Sequence, residues 1–294
     1  MTWSGNSAAE ASDPLPPRTI AGINALPGPE KRAIYTRLIP GELLQLLHIP
    51  TDLRTPQGRD LLFLNCVNGS PVAEMALYHQ PGFPDPVLYG QITDTINGYL
   101  RILLYTLNDP SSRRFTIDCL ADGTPTALGA SQRNLAEERA ALEYGLAPGQ
   151  VRRGLRLLGA AIQAFEGFVS SLGHDMYFAE PLYYHNAVLF ERHGFNYQQG
   201  RRLMERIQAG FSAAPALARP GLPPAPTHPQ WTPGDLLEKM DGSSPFRRPQ
   251  AATSIRLRSW AIHDNVLGQP FDDVTMYKII DRPANVDTCP DCSW

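Results

Sequence analysis

Long apolar runs are missing from this chain of 294 residues. No stretch approaches the roughly 18 apolar residues needed to cross a bilayer, which excludes a membrane-spanning role from the expectations. The amino terminus, MTWSGNSAAEASDP, lacks the basic-then-apolar order of a secretory signal, so the expected compartment is the cytoplasm. Lysine is nearly absent, with only Lys31, Lys239 and Lys278 among 26 basic residues, and the formal net charge is -3. That balance argues against a general nucleic-acid or membrane-surface partner. Four cysteines are too few and too scattered for a disulfide framework. Cys66 and Cys119 sit in strand-like runs and read as small buried thiols. Cys289 and Cys292 form a terminal CPDC pair, half of a zinc site at most, so no metal is expected there. Its place beside the chain end predicts a peripheral thiol pair, free or locally oxidised, whose removal leaves stability nearly unchanged. Walker loops, Gly-x-Ser-x-Gly elbows and His-Glu-x-x-His helices are also lacking, which removes phosphate hydrolysis and serine-hydrolase chemistry.

What is present is enough hydrophobic residue, 43%, for a substantial core. Residues 1 to about 30, rich in Pro, Ala, Gly and Ser, have no periodicity and read as a loosely packed arm. Gly41 to Ile49 predicts a short helix. LLFLNCV and PVAEMALY flank Asn68-Gly69, and VLYGQITD and YLRILLYTLN flank Asn97-Gly98, two hairpin signals. RRFTIDC adds a fifth candidate strand. The fold class that follows is α/β (α+β), with a mixed, largely antiparallel sheet flanked by helices. Asn134 followed by Glu137 starts a helix that Gly145 stops. Leu203, Ile207 and Phe211 predict a helix from Gly200 onward. A Pro/Ala-rich linker, AAPALARPGLPPAPTHPQ, follows, and the rest reads as an irregular extension with SIRLRSWAIHDNV and VTMYKII as strands. The expected organisation is an arm and short helix over 1–59, an α/β domain over 60–211, and linker plus extension over 212–294.

The densest signal lies between Pro148 and Phe195. Val151, Leu155, Leu158, Ile162, Phe165, Val169 and Leu172 form one apolar stripe at helical spacing, which predicts a long helix from Pro148 to a Gly173 cap. MYFAEPL predicts a short strand ended by Pro181. Asn186 to Arg192 predicts two helical turns closed by Gly194.

Sheet, arginine-bearing helix, strand, helix and Gly-Phe follow the order of the GNAT superfamily of acyl-CoA-dependent N-acyltransferases, which residues 60–197 resemble. In that family a Gly/Arg-rich turn at the start of the long helix holds the cofactor pyrophosphate on backbone N–H groups, a task that suits a helix N-terminus. The matching segment here is Gln150, Val151, Arg152, Arg153, Gly154, Leu155 and Arg156. FERHGF, Phe190 to Phe195, is similar to the family's Tyr-Glu-x-x-Gly-Phe ending. Two positions differ from the family pattern: Arg156 replaces a small residue, and Phe190 replaces the tyrosine that protonates the departing thiolate. The helix Asn134 to Tyr144 also stands where the family runs a strand straight into the loop.

The resemblance implies acetyl-CoA or another acyl-CoA as cofactor and a small-molecule or protein amine as acceptor; in the YYHN run beside the strand end, Tyr184 or His185 is the candidate for the missing acid. Surface arginines paired with Glu137, Glu138 and Glu143, and a satisfied buried histidine, are the plainer readings of the same residues. His263-Asp264 is a weak additional pair. The alternative function is a non-catalytic relative that contacts a partner protein, or a second copy of itself, through the arm and extension.

Overall fold

A computed structural model describes residues 17–126, 132–212 and 233–294. The linker expected at 213–230 and the first sixteen residues of the expected arm lie outside the described residues. Four strands come first in the sheet: β1 (Leu62–Asn65), β2 (Val72–Leu77), β3 (Leu88–Asp94) and β4 (Leu100–Leu107). Each pairs antiparallel with the next. Asn68-Gly69 and Asn97-Gly98 supply the turns, and both glycines take a positive φ that a side chain would resist. β5 (Met176–Ala179), β6 (Asn196–Gln199) and β7 (Thr275–Ile279) complete the order β1-β2-β3-β4-β5-β7-β6. Only β4 and β5 run parallel. The structure is therefore mixed α/β with a seven-stranded, mostly antiparallel open sheet.

Helices α1 (Ile20–Asn24), α2 (Gly28–Tyr35) and α3 (Gly41–Leu46) precede the sheet. The expected loose arm is thus partly helical: Ile20 and Ile23 are fully buried, and Asp94 accepts the N–H groups of Ile20 and Ala21 at 2.7 and 2.9 Å. α4 (Leu135–Tyr144) has the expected ends, with the Asn134 side chain accepting from Glu137 N–H and Gly145 left-handed. α5 (Leu158–Ser171) follows, then α6 (Tyr184–Arg192), α7 (Arg201–Gly210), α8 (Asp235–Glu238) and α9 (Ile255–His263). Among the described residues, no helix is long and apolar enough to cross a membrane.

The stripe on α5 is core, as its spacing demands. Phe165 contacts Tyr177 of β5 and Phe168 by ring packing, and Phe168 stacks with Tyr35. Phe195 meets Tyr177 edge-on, so that one strand residue carries rings from two elements. A second apolar cluster, with Phe115, Leu142, Leu146, Phe246 and Trp260, joins α4 to α9.

Four expectations are corrected. The long helix begins at Leu158 rather than Pro148. Residues 150–157 are drawn instead toward β4's end, where Arg153 O accepts from Asp109 N–H and Val151 O from Phe115 N–H, both at 2.8 Å. RRFTIDC is irregular, not a strand. SIRLRSWAIH is helix α9, buried on nearly every side, and burial all round erases the periodicity that would have marked it. The expected extension is no appendage: β7 inserts between β5 and β6, and Ser293 exchanges backbone hydrogen bonds with Thr253 and Ile255.

Candidate functional site

The parallel pair β4 and β5 is joined for only three residues, Leu100 with Tyr177, Arg101 with Phe178 and Ile102 with Ala179. Glu180 N–H donates the last link to Ile102 O at 3.2 Å, and Pro181 has no donor to continue it. A register shift against β3 marks a bulge at Leu103, where Gln91 opposes Leu104 but Ile92 opposes Ile102. Beyond the bulge β4 stays with β3, and its tip meets a different partner: Asn108 bridges Gly154. Five residues of β4, Leu103 to Leu107 and roughly 17 Å at strand rise, therefore run on with no β5 partner among the described residues, a gap in the pairing.

At the far end of this gap α5 begins. Leu157, in the capping position, offers no side-chain cap. The first-turn N–H groups of a helix have no intrahelical acceptor, and the dipole adds positive character there. Arg153 and Arg156, a few residues ahead of α5 in the chain, are exposed. Arg153 also lies over the Tyr144 ring, 5.0 Å from its centroid. Arg156 holds a left-handed backbone at φ 60°, the position where the family pattern has a small residue.

The other expected cofactor-binding residues have structural tasks. Arg152 is buried, pairs with Asp85 at 2.7 Å and donates to Ser112 O at 2.5 Å. Gln150 Oε1 accepts from Ala147 N–H at 2.8 Å, Val151 packs on the second cluster, and Gly154 abuts Leu107 O. The expected proton handlers are sealed. Tyr184 is 1% exposed, its hydroxyl accepting from Arg258 Nη1 at 3.0 Å. His185 is 3% exposed and bonded through Nδ1 to Ser259 Oγ at 2.9 Å. Burial, with a smaller contribution from His263, pushes the His185 pKa down to about 3. Neither residue opens on the gap, and both belong to the core between α6 and α9.

Other residues stand nearer the parting of the strands. Arg101 Nη1 donates to Glu180 Oε1 at 2.5 Å across the last paired position, and both side chains are about one-third exposed. Tyr105, on the half of β4 beyond β5, has a buried hydroxyl with no hydrogen-bond partner among the described residues, and burial raises its pKa. Its ring lines a small apolar cavity with Tyr35, Met75, Gly90 and Phe165. Tyr183 packs so closely on Gly149 that a Cβ there would lie 2.4 Å from the ring, and Gly149 has a positive φ besides. The Glu180-Pro181 step after an apolar run was the available sequence signal for Glu180; nothing local marks Arg101, Tyr105 or Gly149. Phe190, in the family's tyrosine position, stacks on Phe195 at 4.8 Å. Among the described residues, no cluster of three metal-ligating side chains occurs.

No family model matches the chain, and neither the curated proteins nor the solved structures compared with it contain a match.

Proposed function

We propose that this chain is a GNAT-like acyl-CoA-dependent N-acyltransferase that acts on a small amine or a protein amine. The observation that carries the reading is the parting of β4 from β5 after three residue pairs, in front of an uncapped helix start flanked by Arg153 and Arg156. An acyl-CoA has the matching chemistry. Its pantetheine arm carries amides that can pair with the free edge of β4 as an added strand would. Its pyrophosphate suits the N–H groups of α5's first turn and the two exposed guanidiniums. The thioester supplies an acyl group for the acceptor amine. In this reading Glu180, beside the parting of the strands, takes the amine's proton, and the leaving thiolate takes its proton from solvent.

A second reading, a non-catalytic relative serving as an interaction or structural subunit, is favoured by three observations. Phe190 has no proton to give, Tyr184 and His185 are enclosed, and Arg152 is committed to Asp85. Titrating acetyl-CoA against thermal unfolding separates the readings. A ligand at 100 times its dissociation constant adds about 2.7 kcal/mol, a readily measured shift. Acetyl-CoA should raise the melting temperature, Arg153→Glu should abolish the rise without altering the unliganded melt, and an amine panel should release free thiol. A shift without thiol release favours the second reading. No shift removes the acyl-CoA assignment.

A further inference from the structure

Arg258 is completely buried in α9, yet none of its partners is a carboxylate. Its Nε donates to Ala251 O at 3.0 Å and its Nη2 to Ala252 O at 2.5 Å. Its Nη1 reaches Tyr184 Oη at 3.0 Å, Gln208 Oε1 at 2.6 Å and Cys289 Sγ at 3.0 Å. The guanidinium also lies over the Phe211 ring at 4.6 Å. Among the described residues no ion pair to Arg258 occurs, and a buried cation without a counter-ion is costly. The carboxylate of Glu191 is held elsewhere, by Tyr197 Oη and by the Thr288 hydroxyl and N–H. Cys289 is bonded to Cys292, and its Sγ also lies 3.2 Å from Gln208 Oε1.

We propose that Cys289 and Cys292 form a reversible thiol–disulfide site, in which Arg258 is the built-in counter-ion of the Cys289 thiolate and a dithiol reductant is the reaction partner. The two sulfurs are unequal. Cys289 is wholly enclosed against the guanidinium, whereas Cys292 is 7% exposed and stands two residues from the half-exposed Trp294. A reductant thiolate attacks Cys292 Sγ and forms a mixed disulfide. The Cys289–Cys292 bond breaks, and its electron pair leaves on Cys289 Sγ beside Arg258 Nη1. The reductant's second sulfur, deprotonated, then attacks its own first sulfur and expels Cys292, which takes up one proton while the other goes to solvent. The reductant becomes a disulfide and the chain gains two electrons. Stabilising the leaving thiolate both speeds attack on its partner sulfur and favours the reduced state.

The remaining charged groups around the pair do not displace this assignment. Asp287 is exposed and its Oδ1 accepts the Cys289 N–H at 3.0 Å, so it is turned to the backbone. Arg192 donates to Cys292 O at 2.6 Å and adds a second positive charge near the pair. Asp291 is exposed between the two cysteines.

The full chain, equilibrated in dithiothreitol buffers of graded reduced-to-oxidised ratio and trapped with a thiol mass tag, should pass reversibly from two tags to four. Arg258→Gln should move the midpoint at least roughly tenfold toward stronger reducing conditions, and Arg258→Lys should restore most of it. Four tags without reductant, or an unmoved midpoint in a folded Arg258→Gln chain, would overturn the proposal. Should Arg258→Gln not fold, Cys292→Ser in a Cys66→Ser, Cys119→Ser background decides alone. Its thiolate absorbance near 240 nm should titrate well below the ordinary cysteine value of about 8.5. Titration at or above that value would sink the idea.

Discussion

The two halves of the sheet are secured by different means. β1 to β4 are successive hairpins, each closed by its own turn, and their shared core is apolar: Met75, Leu77, Leu88, Ile92, Leu100 and Ile102 are all buried. β5, β7 and β6 are gathered from distant parts of the chain, and the elements behind them bury polar groups, among them His185, Glu191, Arg258, Ser259 and Thr288. Within the strands of the first half a lost contact is one lost contact, and its buried polar groups, Asn24 and the Asp85–Arg152 pair, lie in the helix and loops around them. In the second, removing one partner leaves another buried polar group unsatisfied, which costs more than the hydrogen bond itself.

Phe165 tests whether the halves depend on each other. It touches Tyr177 of β5 and also lines the cavity beside Met75 and Ile92 of the first half, at 3% exposure. Phe165→Asp should abolish soluble expression, and Phe165→Ala should lower stability by about 3–5 kcal/mol in urea unfolding. Phe63, 55% exposed on β1, should tolerate alanine within about 0.5 kcal/mol. If Phe165→Asp melts normally, α5 does not join the two halves.

The tail probes the second half alone. Deleting residues 288–294 strips Thr288 from Glu191, Cys289 from Arg258 and Ser293 from Thr253 and Ile255. Two buried charged or polar groups then lose partners, and a loss of about 3–5 kcal/mol is expected. A loss below about 1 kcal/mol would return the tail to the peripheral role that its sequence position implied.

That reversal shows where the sequence was legible. Asn68-Gly69, Asn97-Gly98, Asn134 with Glu137, and Gly145 act on their immediate neighbours, so the hairpins and α4 could be read from short windows. The strand character of VTMYKII was equally plain, but its slot between β5 and β6 depends on contacts far away in sequence. α5 lost nearly three of its expected turns, residues 148–157, for the same reason, because residues 108–115 compete for the backbone of 151–154. In the candidate site the arginine-rich segment could be located from sequence. The inward turn of Arg152 could not, since Asp85 lies far upstream. Tyr184 and His185 are covered by α9, which the sequence pattern made a strand, so their enclosure could not be read either.

Acid should weaken the core behind the second half. Burial holds His185 neutral down to about pH 3, whereas an unfolded histidine takes up a proton near 6.5. Below the unfolded value the unfolded chain therefore binds more protons, so His185's contribution is complete above about pH 6.5 and is lost progressively as pH falls toward 3. His193 is shifted downward by burial and Lys278 and acts with the same sign. Glu191, shifted upward chiefly by burial, acts oppositely, because its folded form takes up a proton at higher pH than the unfolded one. Melting between pH 7 and 4 should fall more steeply for the parent than for His185→Gln. Parallel slopes would mean that His185 is solvated in solution and the α6–α9 core is looser than its packing.

The smallest effect is the most local, and it lies where the two halves part. Arg156 holds a left-handed backbone at φ 60° with no glycine to relieve it. For a residue with a Cβ that conformation costs about 1 kcal/mol or more, and glycine removes the penalty while adding freedom to the unfolded chain. Arg156→Gly should therefore raise stability by a few tenths to about 1 kcal/mol, measured as a shift of the urea midpoint at unchanged slope. Arg156→Ala, which keeps the Cβ but loses the charge, should give no such gain. The pair separates backbone strain from charge, and adding acetyl-CoA separates both from binding. If Arg156 contributes to an anion site, both variants weaken the ligand-induced shift equally, although only glycine stabilises the free protein. Equal stabilities for the glycine and alanine variants would show that the loop relaxes out of the left-handed region, leaving the turn that links β4's tip to α5 without a fixed shape.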